Sequence, residues 1–449
     1  MTNGRLRRRS IFSGLLLIAL GTLLLLHNLR GAFPDLLELF HRWWPVLLIL
    51  WGLAKLYDHL MAQQTGQMAP RTITGGDIFL VFLLIVLVAS VGGMDWLRRH
   101  GNVHEFRLPW EQTYSFSEEL PSKTIKAESQ VSIFTDYGDI TLYAEETAEI
   151  RVLAKKTIGA SSEGEAHKTA EQVRIKIAET RDGYEVGTQN QGSLVQVDLE
   201  VHLPKRVSVT ARTPRGGLQI NGLAGRVTAQ TQRGNVELRD TAGDVSAQIE
   251  RGDVRIVGAG GNVKLSGRGG QVEIADVKGE AVVEGEFFGP IRIERAAKGA
   301  RFVSRRTDLT VTQLPGRIET GSGRLEITDA TGNVSLTTRK YDVLLENVAG
   351  RVHIENRDGN VELRFPQPPR EDVEVINQSG SIELVLPAKS SFEVHAESRS
   401  GEIDCEFPEL GPLEKGEHRT ARLDGKLGAK GPQLRLRTTY GTIRLRKGQ

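Results

Sequence analysis

Three arginines, Arg215, Arg233 and Arg251, recur at one fixed interval. Guanidinium groups stacked at a regular pitch are a way to hold a polyanion, such as a phosphorylated envelope polymer. The same pattern also describes a solvated face, with Glu237, Glu250 and Asp253 as neutralising neighbours. A second set, Asn235, Asp244, Asp253, Asn262, Asn333 and Asn360, follows single glycines. Calcium-binding nonapeptide rolls need Gly-Gly-x-Gly-x-Asp, whereas one glycine followed at once by Asn or Asp is the chemistry of turns. The carboxylates Glu237, Glu273, Glu326 and Glu362 stand singly between aliphatic residues, not in the facing pair that glycoside hydrolysis requires. The ten histidines show no His-Glu-x-x-His spacing, and neither a Gly-x-Ser-x-Gly elbow nor a phosphate-binding lysine loop is present. The expectation is therefore no enzyme, no metal and no cofactor. Cys405, the one cysteine, excludes an intramolecular disulfide and alternates in phase with Ile403 and Phe407 as a small buried hydrophobe would. Phe287 and Phe288 are candidates for an exposed apolar lip for a partner, or for a local adjustment of the core.

What must position these residues is a repeat. Gly216, Gly225, Gly234, Gly243, Gly252, Gly261, Gly270 and Gly279 follow one another every nine residues. Arg215, Arg233 and Arg251 precede alternate glycines, so the true unit is about 18 residues. Aligned on that length, Leu218, Val236, Val254 and Val272 form one apolar column, and Ile220, Leu238, Ile256 and Ile274 a second. Val227, Val245, Val263 and Ala281 form a third, while Gln219, Glu237, Arg255 and Glu273 point the other way. Strand side chains alternate with period two, so each unit holds two short strands between glycine turns. One unit cannot bury its apolar face alone, but stacked units can. The fold class expected is an all-β parallel β-solenoid with coils roughly 4.8 Å apart, and the crossover rule favours a right-handed path. The motif persists at Gly316, Gly323, Gly332, Gly350, Gly359, Gly380, Gly401 and Gly441, with interruptions at 287–290, 366–369 and about 408–431. Residues 162–173 read as a short helix with a capping box at Ser162 and Glu165.

Composition separates a different solvent for the first quarter. All five Trp and all four Met lie at or before Trp110 in a chain of 449 residues. Three apolar runs there predict an α-helical transmembrane region of three helices, about 11–29, 40–57 and 77–94, within residues 1–100. Trp43, Trp44 and Tyr57 flank the second run as interfacial aromatics do. An inside N-terminus places Arg5, Arg7, Arg8, Arg9, Lys55 and Arg71 on the cytoplasmic side, against Arg30, Arg42, Arg98 and Arg99 outside. Residues 101–124 are then a linker, and the solenoid domain at 125–447 is expected outside the cytoplasmic membrane, periplasmic or on the cell surface. If the short second run is re-entrant, that side reverses. The partners implied are the lipid bilayer and an envelope polymer or membrane protein. A net charge of +2 argues against nucleic acid.

Two resemblances follow from these residues. Gly14, Gly21, Asn28-Leu29, Trp44-Pro45-Val46-Leu47-Leu48-Ile49 and Gly52 resemble the paired-helix membrane region of the LiaI and LiaF envelope-stress proteins, over roughly residues 8–58. Leu203-Pro204, Leu386-Pro387, the glycine-aliphatic repeats and the closing Thr439-Tyr440-Gly441-Thr442-Ile443 resemble the DUF4097 adhesin-type family, related to toast-rack domains, over roughly 115–447. The resemblance implies a non-enzymatic, membrane-anchored protein of the cell envelope. It presents its solenoid as an adhesin-like binding or scaffold module, or takes part in envelope-stress sensing of the LiaF type. A β-helix carbohydrate-active enzyme is the remaining reading.

Overall fold

The computed structural model describes residues 112–448 apart from 190, 193–194 and 417–419. The three expected membrane helices lie outside these residues. Among the described residues the one α-helix is α1, Glu163–Gln172, and no helix is long and apolar enough to cross a membrane.

Alternating aliphatic and polar residues make each segment between glycine corners a short strand, and each coil gives one strand to each of two sheets. In the first sheet Leu218–Asn221, Val236–Thr241, Val254–Ala259, Val272–Val277 and Ile291–Ala296 pair in parallel. In the second, Ser208–Arg215, Val227–Arg233, Val245–Arg251, Val263–Gly269, Ala281–Phe287 and Ala300–Val303 do the same. The apolar columns read from the sequence are in register: Leu218 opposite Val236, Val236 opposite Val254, Val254 opposite Val272. These inward side chains are buried and fill a narrow interior of Val, Ile, Leu and Ala. The pairings of the second sheet run in one line from Arg174–Thr180 to Glu414–Lys415 without returning on themselves, so the layer is open rather than a barrel.

The stack is not parallel throughout, which corrects the expectation. The coil at 307–320 runs backwards. Thr307–Val311 is antiparallel to both Ala300–Val303 and Val334–Lys340, and Leu314–Thr320 is antiparallel to both Ile291–Ala296 and Arg324–Ala330. Tight loops at 304–306 and 321–323 make the two reversals. In the first, Ser304 Oγ accepts the N–H groups of Arg306 and Thr307 at 3.3 and 3.2 Å. A ladder can take an antiparallel neighbour as readily as a parallel one, and alternation presents the same apolar face in either direction. Parallel stacking then resumes through Val352–Asp358 and Val373–Ser379.

Both ends are interleaved. Near the first, Gln130–Phe134 lies between Gly183–Gln189 and Ser208–Arg215, and Ile140–Glu145 lies between Val195–Pro204 and Leu218–Asn221. At the other, Gln433–Tyr440 slots between Val373–Ser379 and Phe392–Ser398, and Ile443–Gly448 between Ile382–Pro387 and Ile403–Cys405. The coil earliest in the chain and the coil latest in it are thus inner layers. Each is held on both sides. Glu406 fastens the last coil by accepting the Lys447 N–H at 2.8 Å and pairing with Arg446 at 2.7 Å.

Residues 112–119, within the stretch expected as linker, form a strand antiparallel to Glu149–Ala160, with Tyr114 and Phe116 turned toward the core. Glu149–Ala160 in turn covers Val195–Pro204. Helix α1 caps this end. Its Ser162 Oγ accepts the Glu165 N–H at 3.4 Å, while the Glu165 carboxylate bonds Ser161 rather than closing the expected box. Buried Lys156 donates to the carbonyls of Ala170 and Val173 at 2.9 and 2.6 Å and pairs with Glu118 at 2.7 Å, which ties the helix C-terminus to two strands.

Glycine is required where coils touch. Gly234 has φ +148°, and a Cβ there would lie 2.0 Å from the carbonyl oxygen of Gly216 in the neighbouring coil. A second left-handed column, Gly222, Asp240, Gly258, Asp276 and Arg295, bends the first-sheet strand in successive coils. Its bulkiest member, Arg295, is held by Asp276 at 2.6 and 2.9 Å.

Replacing Gly234 by Ala is expected to destabilise the domain by about 2–4 kcal/mol, from backbone strain and a steric clash together, measured as a drop in the urea midpoint. Deleting residues 433–449 is expected to open 373–427 to protease, because the coils on either side lose their shared neighbour; a cleavage pattern unchanged from the full chain would contradict the interleaving. The Glu406 carboxyl is held below its ordinary 4.5 first by the Lys447 N–H and then by Arg446. A lowered acid stabilises the fold above its unfolded value, and that contribution is lost as pH falls through the folded value. Tm is therefore expected to fall on acidification from about pH 5 to about pH 3, and less so in Glu406→Gln.

Candidate functional site

The corners between the two sheets carry the residues singled out above. Arg215, Arg233 and Arg251 end successive second-sheet strands and stand opposite one another in register. All three are exposed. The next position in that column is Gly269, opposite Phe287. Gly269 has no side chain, and the Phe287 ring occupies the space a Cβ would reach, with ring carbons 3.3 Å from it. Phe287 therefore packs against the core, and Phe288 alone projects, 86% exposed.

The Asn and Asp residues after the glycines bind the neighbouring coil rather than their own turn. Asn235 accepts the Asp253 N–H at 2.9 Å, Asp253 the Gln271 N–H at 2.8 Å, and Asp244 the Asn262 N–H at 2.9 Å. Asn262, Asn333 and Asn360 repeat the contact at 2.9–3.0 Å. Among the described residues no group of three His, Cys, Asp or Glu side chains is arranged to hold a metal ion.

The acids on the strands are matched to arginines on the same or the next coil. Glu237 accepts from Arg239 at 2.7 Å and Glu362 from Arg364 at 2.6 Å; Glu273 lies 3.5 Å from Arg255, and Glu326 3.3 Å from Arg317. Three histidines, missed as a pattern in the sequence, are each clamped between two carboxylates. His202 sits 2.6 Å from Glu145 and 3.1 Å from Glu200. His353 sits 3.0 Å from Glu374 and 3.4 Å from Glu355, and His395 2.7 Å from Asp424 and 3.4 Å from Glu393. The readable signal was a Glu two residues from each His, which puts both on one strand face. The bond from His202, ahead of that from Arg151, holds the Glu145 carboxyl below its usual range. A shallow groove of about 380 Å³ lies beside His395 and is lined by Glu374, Glu397, Arg422, Arg435 and Arg437. Cys405 is half-buried, its thiol pushed up by burial, and accepts the Phe407 N–H at 3.4 Å. Pairs such as Arg255–Glu273 and Arg317–Glu326 join neighbouring strands of the stack, while Glu237–Arg239 and Glu362–Arg364 lie within one strand.

Two regions of the chain match known protein families. Residues 11–56 match the LiaI-LiaF-like transmembrane region. No curated protein matches the chain. Among solved structures, one described as a candidate cell adhesion protein from Clostridium sporogenes is 8% identical, covering 74% of this chain and 100% of that one, with a TM-score of 0.15. Another, described as a candidate adhesin from Bacteroides fragilis, is 9% identical, covering 74% and 97%, with a TM-score of 0.19. At those scores neither carries weight below. Residues 129–446 match Toastrack DUF4097, well over half of the 449 residues, and the chain belongs to that family.

Proposed function

We propose that this is a membrane-anchored, non-enzymatic envelope protein that presents its solenoid outside the cytoplasmic membrane as an adhesin-like binding or scaffold module. The observation that carries this reading is the joining, in one chain, of a LiaI-LiaF-like transmembrane region at 11–56 with a long stack in which some strand-face charges pair between coils. Such a stack is stiff, because every coil is bonded to its neighbours through backbone and side chain alike. Its use is to hold outward groups at a fixed pitch. In this reading the anchor is three spans, at about 11–29, 40–57 and 77–94, with the N-terminus inside. Arg215, Arg233 and Arg251 are the candidate contact ladder, and exposed Phe288 is the remaining apolar candidate. The partners are the bilayer and an envelope polymer or a membrane protein.

The match at 11–56 also favours a second reading, envelope-stress sensing of the LiaF type, in which the anchor responds to the bilayer and the stack to a partner. Deletion of the gene is then expected to change the transcriptional response to bilayer-active antibiotics, and the presenting role alone predicts an unaltered response.

Protease treatment of spheroplasts tests the side of the membrane. Exposed loops such as 304–306 and 366–368 are expected to be cut from outside while a cytoplasmic control survives. Full protection of the domain until the membrane is opened would overturn the presenting role.

A further inference from the structure

We propose that the corner between the two sheets is a binding ridge for a linear polyanion, centred on Arg305, Arg306, Arg339 and Lys340 and continued by the Arg215–Arg233–Arg251 ladder. The proposal rests on the presenting role above and names the class of ligand. On the strand faces many cations have carboxylate partners: Arg255 with Glu273 at 3.5 Å, Arg292 with Glu319 at 3.1 Å, Arg364 with Glu362 at 2.6 Å. At the corner a set of seven does not. Among the described residues, Arg215, Arg251, Arg268, Arg305, Arg306, Arg339 and Lys340 have no carboxylate within ion-pairing distance, and all are exposed.

The backwards coil concentrates this charge. Its loop at 304–306 places Arg305 and Arg306 at the same corner as the end of the strand Val334–Lys340, because Thr307 pairs with Thr338. The two threonine hydroxyls bond at 3.0 Å across the join, so their chain neighbours Arg306 and Arg339 stand side by side. The nearby acids already have other polar partners, Asp358 opposite Lys340 lying 3.7 Å from Arg357. Glu286 accepts the Arg305 N–H at 2.8 Å, Asp342 accepts the Asn360 N–H at 2.7 Å, and Asp308 lies 3.7 Å from Arg301. Four like charges without partners are unfavourable together unless an anion joins them. From the strand of Arg215 to that of Lys340 the stack advances seven strand steps, roughly 34 Å. A ridge that long and one residue wide fits a chain of repeating charge, phosphate or carboxylate, better than a compact anion. Guanidinium groups bind either kind in bidentate fashion.

The test uses the full chain in neutral detergent with two fluorescent probes, linear polyphosphate and polygalacturonate, read by anisotropy. One variant carries Arg305→Gln, Arg306→Gln, Arg339→Gln and Lys340→Gln. A control removes the same number of positive charges from paired face positions, by Arg→Gln at Arg239, Arg255, Arg292 and Arg364. The corner variant is expected to lose at least tenfold in affinity for one or both polymers while the control stays within about threefold, and wild-type affinity is expected to fall steeply with salt. The probe bound more tightly identifies the source as phosphate or carboxylate polymer. Equal losses in both variants, or binding of neither polymer while anionic lipid vesicles bind, would overturn the ridge. Thermal melts of both variants separate lost binding from lost folding. Protease treatment of spheroplasts decides the presenting role separately, so polymer binding with a protected domain would sink that role and leave the ridge standing.

Discussion

Coils in this domain approach one another at the spacing of paired strands, about 4.8 Å, at the corners as well as along the sheets. The corners have no room for a side chain between layers, as Gly234 against the Gly216 carbonyl illustrates. Much else follows from that approach. Glycine must recur once per corner, the residue after it can reach across to the next coil's N–H, and the period is fixed near 18 residues wherever the corners are undisturbed. Where the corner loop lengthens, the step lengthens too, to 21 residues between Asn360 and Ser381. The registers on either side stay aligned because the added residues lie outside the strands.

Two consequences concern the ends and the surface. A simple stack would leave its first and last coils with one neighbour each, open to fraying and to pairing with other chains. Here the earliest and latest coils are enclosed, and the outer layers are short or covered by antiparallel strands and helix α1. On the surface, ion pairs within and between coils neutralise much of the strand faces, whereas among the described residues Arg305, Arg306, Arg339 and Lys340 at the corner have no such pair. The whole-chain charge of +2 conceals this division.

Much of the stack was legible because it is periodic. The columns through Val236, Val254 and Val272 could be read directly, and their partners are those observed. The reversed coil at 307–320 was not legible, since Gly316-Arg317-Ile318 alternates identically read in either direction. The interleaved ends were hidden for another reason. They depend on pairings such as Val373 with Leu434 across a long stretch of chain, which local pattern does not encode. Residues 112–119 offer only Tyr114 and Phe116 as apolar signal, so their strand was masked by the polar residues between. At the corner, the Arg215 ladder was visible as spacing, but Arg305 and Arg306 join it only through the reversal. Phe287 and Phe288 looked alike in sequence, and the absence of a side chain at Gly269 is what turned one inward.

The central claim is that the coils earliest and latest in the chain are each held between two others. Hydrogen exchange on the full chain, resolved by peptide, tests it most directly. The amides of 434–438 and 443–445 are expected to be protected as strongly as those of 236–238 and 254–256 in the middle of the stack. Exchange of the last coil within seconds, with the middle still protected, would contradict the claim.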